Sequence, residues 1–521
     1  MKRRNFLRNT GLAAAWATFQ HQGFALNPMA QVPFLRALAE GGNPEDRVLV
    51  LIQLNGGNDG LNTFIPLDQY DNLAANRANV LINENQILNL NGTIKNGFHP
   101  VMTDMQKLFN DGLMSVVQNV GYPNQDYSHF RSTDIWMSAS DSDQILETGW
   151  AGRYLQSQNP LFPDGYPNPD HPDPLAIQIG AVVSLALMGN SVPMGMGITD
   201  PSNFYDFVND IPEPAPNTPY GQELEFVRLV TQQAEVYYSS VKAAADNGQN
   251  LATYPDSRLA EQLKIVAQLI SGGLTTPIYI VTLEGFDTHS DQVDGTFGNA
   301  EGLHADLLRI LSEAVGAFQK DLKMLGVDDR VAGMTFSEFG RTIGSNASTG
   351  TDHGAAAPLF VFGKEVIPGI IGDNPEIPNN PLISYDVAMQ HDFRSIYASA
   401  LQDWFGIANP ESILGQTFPI LPIFKAGSSG TQVIQKQDVT AVSNFPNPFH
   451  GGTTFTFTSE GGLVVISLLD SAGRVLQTVA EGTYPSGTHR VKFNPSDLRP
   501  GNYFYQVKVN GSTVTKQLVV I

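Results

Sequence analysis

Apolar residues in this chain collect in short unbroken runs that stop at glycine, asparagine or proline. The first run, residues 47–54, is β-branched at Val48, Val50 and Ile52, with one polar interruption at Gln53. Similar runs follow at 113–120, 277–283, 330–336 and 358–362. Runs of this length and continuity suit strands covered on both faces, as in a mostly parallel sheet. Between them the pattern changes to helical spacing. Residues 100–111, 127–139, 221–247 and 392–406 read as helices, and 257–270 carries Leu259, Leu263, Val266 and Ile270 on one face. Residues 302–325 predict a long helix buried along Leu303, Leu307, Ile310, Ala314, Phe318 and Leu322, with His304 beside the stripe. This alternation predicts an α/β fold, a mostly parallel sheet flanked by helices, over residues 45–425. Residues 160–220 are rich in Pro, Asn and Asp and read as an insertion over the sheet, a lid. The Met-containing patch at 181–198 reads as packing.

Beyond a Gly/Ser-rich linker at 426–440 the period shortens to two. Alternating runs at 453–458, 463–469, 489–493, 503–509 and 514–521 are parted by Gly, Pro and Asn. They predict a small all-β sandwich over 441–521.

The amino terminus adds a compartment. Lys2, Arg3 and Arg4 precede a short apolar stretch at 11–19, too short to span a bilayer. Residues 1–30 read as an export signal, and Arg3-Arg4-Asn5-Phe6-Leu7 resembles the twin-arginine type. That resemblance implies folding in the cytoplasm before export by the twin-arginine translocase, with no transmembrane segment in the mature protein. The 521-residue chain has no cysteine, which rules out disulfides and thiolate metal sites. Its net charge is −21, which argues against a nucleic-acid partner. The tail contributes six basic and four acidic residues, a net +2, so the remainder carries −23.

Candidate chemistry lies just past the strand ends, where α/β sheets form their crevices. The first run ends in Asn55-Gly56-Gly57-Asn58-Asp59-Gly60. Glycines there allow positive φ and close backbone approach, and they set Asp59 at the crevice. Asp287 and His289 follow the third run, and Glu338 follows the fourth. Asp352 and His353 precede the fifth run, and His391 opens the last helix. Carboxylates and imidazoles in this number suit a divalent metal: zinc, calcium, magnesium or manganese. Ser128, at a helix start beyond a strand, is placed for nucleophilic attack on an anionic ester. Thr63 and His129 are the alternatives. Arg341 or Arg131 would hold the anionic oxygens.

The phrases QLNGGNDGLNTFIPL, YSHFRSTDIWMSA, GFDTHSDQ, FSEFGRT, TDHGAA and DFRSIY resemble the family called domain of unknown function 1501. They span about residues 45–410, and that family resembles the alkaline phosphatase and sulfatase superfamily. Carried over, Asp59, Asp287, His289, Asp352, His353 and His391 match its metal-binding positions, and Ser128 lies nearest its nucleophile. Three departures stand out: the close Asp287-Thr288-His289 spacing, Asp352 well beyond the strand end where Glu338 stands instead, and a long interval from Asp59 to Ser128. FPNPF, LLDSAGRVLQTV and LRPGNYFYQVKVNGSTVTKQLVVI resemble the C-terminal sorting domain of type IX secretion. That resemblance implies the type IX machinery as partner, and secretion or attachment at the outer cell surface. The activity implied is a metal-dependent hydrolase of phosphate or sulfate esters. The other reading is a non-catalytic surface protein that binds a glycan or another partner on the same fold.

Overall fold

The computed structural model describes residues 46–168, 171–190, 192–199, 237–379, 385–425, 443–445, 447, 449–469, 475–495, 498, 501–509 and 512–520. The signal at 1–30 and the linker at 426–440 lie outside the described residues, as does residue range 200–236. Two compact units divide the chain, Met1–Gly427 and Ser428–Ile521.

The first unit is organised on a nine-stranded sheet. At its centre β1 (Val48–Asn55) lies between β8 (Ile278–Glu284) and β9 (Val331–Phe336), parallel to both. Past β8 come β6 (Ala176–Ile179) and β7 (Met196–Ile198), also parallel. These two strands lie where a lid was expected. Ile177, Ile179, Met196 and Ile198 are buried, so this stretch completes the sheet instead of covering it. Past β9 come β12 (Ala357–Phe362), β5 (Met114–Gly121) and the edge strand β13 (Gly369–Ile371). A short strand β14 (His391–Asp392) also pairs with β5.

Among the described strands of this sheet, β12 alone runs against its neighbours. The chain leaves β9, forms the hairpin β10 (Gly340–Ser345) and β11 (Thr351–Gly354), and returns at once as β12. An immediate return is antiparallel, because a parallel one needs a long crossover. Strand β5 shares the direction of β1, as its apolar pattern predicts, yet its ladder partner β12 is antiparallel.

Helices Arg258–Ser271 and Leu303–Leu325 pack into the same core as the sheet. The buried stripe of the second helix is rotated from its expected line. It runs through His304, Leu308, Leu311, Val315, Phe318 and Leu322, while Leu303 is 54 % exposed. Helix Thr103–Asn110 has no side-chain cap of its own. Ser312 Oγ on the long helix accepts from the amides of Asp104 and Met105, both at 3.1 Å. A neighbour thus satisfies donors that a helix start leaves open. A small sheet of β2 (Phe64–Pro66), β4 (Asn96–Phe98) and β3 (Leu88–Asn89) completes the unit.

The second unit is an antiparallel sheet of β15 (Ser443–Phe445), β16 (Thr453–Leu469), β17 (Val475–Phe493), β18 (Gly501–Val509) and β19 (Ser512–Val520). The runs at 453–458 and 463–469 form one 17-residue strand, not two. Phe455, Phe457, Val464, Ile466 and Leu468 of that strand, with Tyr505, Val507 and Leu518, make a separate core.

Candidate metal centre

The carboxyl ends of β1, β8, β9 and β5 deliver their loops to one side of the sheet, as parallel strands must. The loop after β8 carries Asp287 and His289, and Glu338 follows β9. Beyond β5 the chain enters the helix His129–Ser138. The β10–β11 hairpin sets Arg341 directly opposite His353.

These residues converge on Asp287. Its Oδ1 lies 2.7 Å from His289 Nδ1, 3.3 Å from His353 Nε2 and 2.8 Å from Arg341 Nη2. Its Oδ2 lies 3.5 Å from His129 Nε2. One ligand atom each from His129, Asp287 and His353 falls within 4.8 Å of the other two. Partial burial raises the Asp287 carboxyl, but the Arg341 hydrogen bond and charge, with the two imidazoles, hold it at about 2.

The outer nitrogens of these rings fix their chemistry. His353 Nδ1 lies 2.8 Å from the Tyr127 carbonyl oxygen, which can only accept, so Nδ1 carries the proton. His129 Nδ1 lies 2.9 Å from Glu338 Oε1 and donates in the same way. With the rings in their neutral form Nε2 is then a bare lone pair, and both Nε2 atoms face the Asp287 carboxylate. Lone pairs facing a carboxylate repel unless a proton or a cation stands between them. For His353, burial first of all, joined by the Arg341 charge, lowers the pKa and disfavours the proton. A cation between them would resolve the conflict. Two imidazole nitrogens and a carboxylate oxygen are a common donor set for one, with the outer hydrogen bonds orienting the rings.

Glu338 is buried and acts from behind. Its Oε1 takes the His129 ring and also the Gly56 amide at 2.8 Å, while Oε2 is buried without a partner. Gly56 is required here. Its φ is +124°, and a Cβ on it would lie 2.3 Å from the Asp287 amide nitrogen.

Other predicted residues are placed differently. Arg341 is almost fully buried, and its guanidinium is used up by the fold. Nε donates to Gly57 O at 2.7 Å and Nη1 to Thr351 O at 2.8 Å. Nη2 serves Gly56 O, Phe286 O and Asp287. It ties three loops together and offers an anion nothing. Arg131 is turned to the carbonyls of Asp141, Ser142 and Gln144. Asp59 is fully buried and does not join the Asp287 group. Its Oδ2 lies 2.6 Å from Arg77 Nη2 and 2.6 Å from Gln292 Nε2. Burial raises its pKa, but the Arg77 and His304 charges outweigh that and lower it. Asp352 Oδ1 accepts from Asn346 Nδ2 at 3.0 Å within the hairpin. His391 lies in the β14–β5 ladder opposite Val120, and Asp392, not His391, caps the helix that follows. Thr63 is sealed inside, bonded to Asn58 and the Asp59 carbonyl. Ser128 is the N-cap of the helix His129–Ser138; its side chain makes no capping hydrogen bond, and the residue is exposed.

Two contributors have little or no sequence signature. Gln292 closes the GFDTHSDQ phrase, and its bonds to Asp59 and Thr351, far away in sequence, leave no local pattern. Arg77 sits at the end of a short helix, Tyr70–Arg77, whose pattern is weak.

Residues 231–416 match the family model described as protein of unknown function (DUF1501). Residues 443–521 match that described as secretion system C-terminal sorting domain, which marks export to the cell surface or secretion. Both resemblances read from the motifs therefore hold over those stretches. No curated protein matches the chain. Three solved structures are similar in part. PorZ, a surface component of the type IX secretion system of Porphyromonas gingivalis, is 21 % identical with a TM-score of 0.14, over 19 % of this chain and 13 % of its own. PsFucS1 sulfatase from Pseudoalteromonas sp. is 13 % identical with a TM-score of 0.34, over 88 % of this chain and 85 % of its own. An alkaline phosphatase superfamily protein from Vibrio parahaemolyticus is 9 % identical with a TM-score of 0.29, over 86 % and 83 % respectively. Among the described residues no helix is long and apolar enough to cross a membrane.

Proposed function

We propose that this is an exported metal-dependent hydrolase acting on a small anionic ester of phosphate or sulfate. The observation that carries the reading is the pair of ring nitrogens, His129 Nε2 and His353 Nε2, that face the Asp287 carboxylate while Glu338 and the Tyr127 carbonyl hold the opposite nitrogens. His129, Asp287 and His353 would hold one divalent ion. Two imidazoles favour zinc over calcium, magnesium or manganese. The ion would supply positive charge that polarises the ester oxygen. Glu338 and the Tyr127 carbonyl keep the two rings in the tautomer that leaves Nε2 free. Arg341 holds the Asp287 loop in place. Ser128 would supply the attacking hydroxyl, at the amino end of a ten-residue helix whose dipole favours the anion. The chain would cross the inner membrane folded, by the twin-arginine route, and the outer membrane by the type IX machinery.

A second reading, a non-catalytic binding protein at the cell surface, is favoured by the saturation of Arg341, which leaves no guanidinium for substrate.

Metal analysis of the full chain purified without chelator tests the proposal. One divalent ion per chain is expected, lost in His129→Ala and in His353→Ala. Absence of any bound ion in the parent, after incubation with zinc and manganese, would sink the proposal. Metal-dependent turnover of aryl phosphates or sulfates that disappears in Ser128→Ala selects the enzyme. A retained ion with no turnover across the panel selects the binding protein.

A further inference from the structure

A cleft of about 550 Å³ opens where the edge strand β13 meets the small β2–β4–β3 sheet. It shares no residue with the Asp287 group. Its size falls in the range of small-ligand sites, about 300–1,000 Å³.

One wall, residues 372–376, is pinned from several sides. Gln118 Nε2 donates to Gly372 O at 3.3 Å and Asn119 Nδ2 to Asp373 O at 2.9 Å. The Asp373 amide donates to Gln390 Oε1 at 2.9 Å. Asn374 Nδ2 donates to Lys95 O at 3.0 Å, and Asn96 Nδ2 donates to Asn374 Oδ1. A wall held this way is pre-organised, which lowers the ordering cost of binding.

The lining selects a ligand class. The Asp373 and Glu376 carboxylates and the Asn91 carboxamide are exposed at the mouth, uncommitted to other side chains among the described residues. Asp68, Asp373 and Glu376 outnumber the one cation, Lys95, whose Nζ lies 3.7 Å from Asp68 Oδ2. An anion is therefore repelled. Phe109 and Ile370 supply apolar surface within the same cleft. Vicinal hydroxyls donate to carboxylates and both donate to and accept from carboxamides, while a ring's C–H face needs a limited apolar patch. We propose that this cleft binds a neutral oligosaccharide, at a site separate from the metal centre and independent of whether that centre is catalytic.

Isothermal titration of the full chain with neutral malto-, cello-, xylo- and manno-hexaose tests the assignment. At least one is expected to bind with a dissociation constant below about 1 mM. Binding should survive high salt, since no net charge is neutralised. The Asn91→Ala, Asp373→Ala double variant should weaken it about tenfold or more, by loss of hydrogen bonds at the mouth. Glu376→Gln, an exposed near-isosteric change that spares the fold, should weaken it about threefold. His129→Ala should leave it unchanged, so this assignment and the metal-centre proposal fail separately. The inference is overturned if no hexaose binds, if binding ignores the cleft variants, or if salt-sensitive binding of oligolysine is seen in place of the sugar.

Discussion

Gln292 Nε2 donates to Asp59 Oδ2 at 2.6 Å, with both side chains fully buried. The other end of the same amide, Oε1, accepts from Thr288 Oγ1 at 3.1 Å and from Thr351 Oγ1 at 2.8 Å. Thr288 separates Asp287 from His289, and Thr351 lies two residues before His353. One side chain therefore joins the strand-end aspartate of β1 to the segments that carry Asp287 and His353. The role of Asp59 in this arrangement is to anchor that clamp.

Replacing Gln292 by Leu should destabilise the chain by about 2–3 kcal/mol, because Asp59 and two hydroxyls lose a buried partner. Metal affinity should fall with it. Gln292→Glu sets a second carboxylate against Asp59 Oδ2, so its destabilisation should be larger at neutral pH than at pH near the carboxyl range. Denaturant midpoints at two pH values check both expectations.

Arg77 and Asp59 form an ion pair with both side chains inaccessible to solvent. Arg77→Met leaves the Asp59 charge unpaired and should cost about 3–5 kcal/mol. Adding Asp59→Asn should recover much of that loss, because the charge left behind is the larger penalty. A double-mutant cycle measured by urea unfolding reads the coupling.

Gly56→Ala should lower stability by about 2–4 kcal/mol, through left-handed backbone strain and collision with the next loop. The Cβ would lie 2.3 Å from Asp287 N and 2.7 Å from Phe286 C, so Asp287 itself must move. Metal binding should be lost even in the folded fraction. Gly92→Ala is the control: its φ is +83°, but no atom lies within 4 Å of the new Cβ. That variant should show strain alone, about 1 kcal/mol, with metal binding intact.

Two buried histidines set the acid limit of the fold. Burial is the chief cause that holds His99 at about 3 and His304 at about 4, against an ordinary 6.5. His304 Nε2 lies 3.0 Å from Asn58 Oδ1, within the loop that carries Asp59. Below pH 6.5 the unfolded chain takes up protons that the folded chain refuses. Their contribution is thus fully present above that pH and lost as pH falls toward 4 and then 3. Stability should drop by up to about 1.4 kcal/mol per pH unit per histidine across this window. His304→Gln should flatten the slope, which pH-dependent thermal unfolding measures.

The sequence by itself determined five strands of the main sheet and where their loops emerge, while β6 and β7 went unread. The run at 47–54 is apolar but for Arg47 and Gln53, so β1 had to be covered on both faces, and the same pattern located β8, β9, β5 and β12. Strand-end placement also singled out Asp287, His289 and Glu338, which the structure does bring together, because adjacent parallel strands deliver their ends to one place; His353, read ahead of the fifth run, joins them from the β10–β11 hairpin. The two-residue alternation of the tail identified the all-β unit in the same way, since side-chain period is a local property. Tertiary structure alone decided which of these charged groups face one another. Asp59 and Arg77 are 18 residues apart with no periodic relation, yet they meet in the dry interior. Arg341 has the donors to grip an anion, but carbonyls from three separate loops consume them. The direction of β12, the rotation of the helix Leu303–Leu325 and the tautomers of His129 and His353 are of the same kind. Each depends on hydrogen-bond partners or packing neighbours far away in sequence. Periodicity records which face of an element is covered, and carries no information about what covers it.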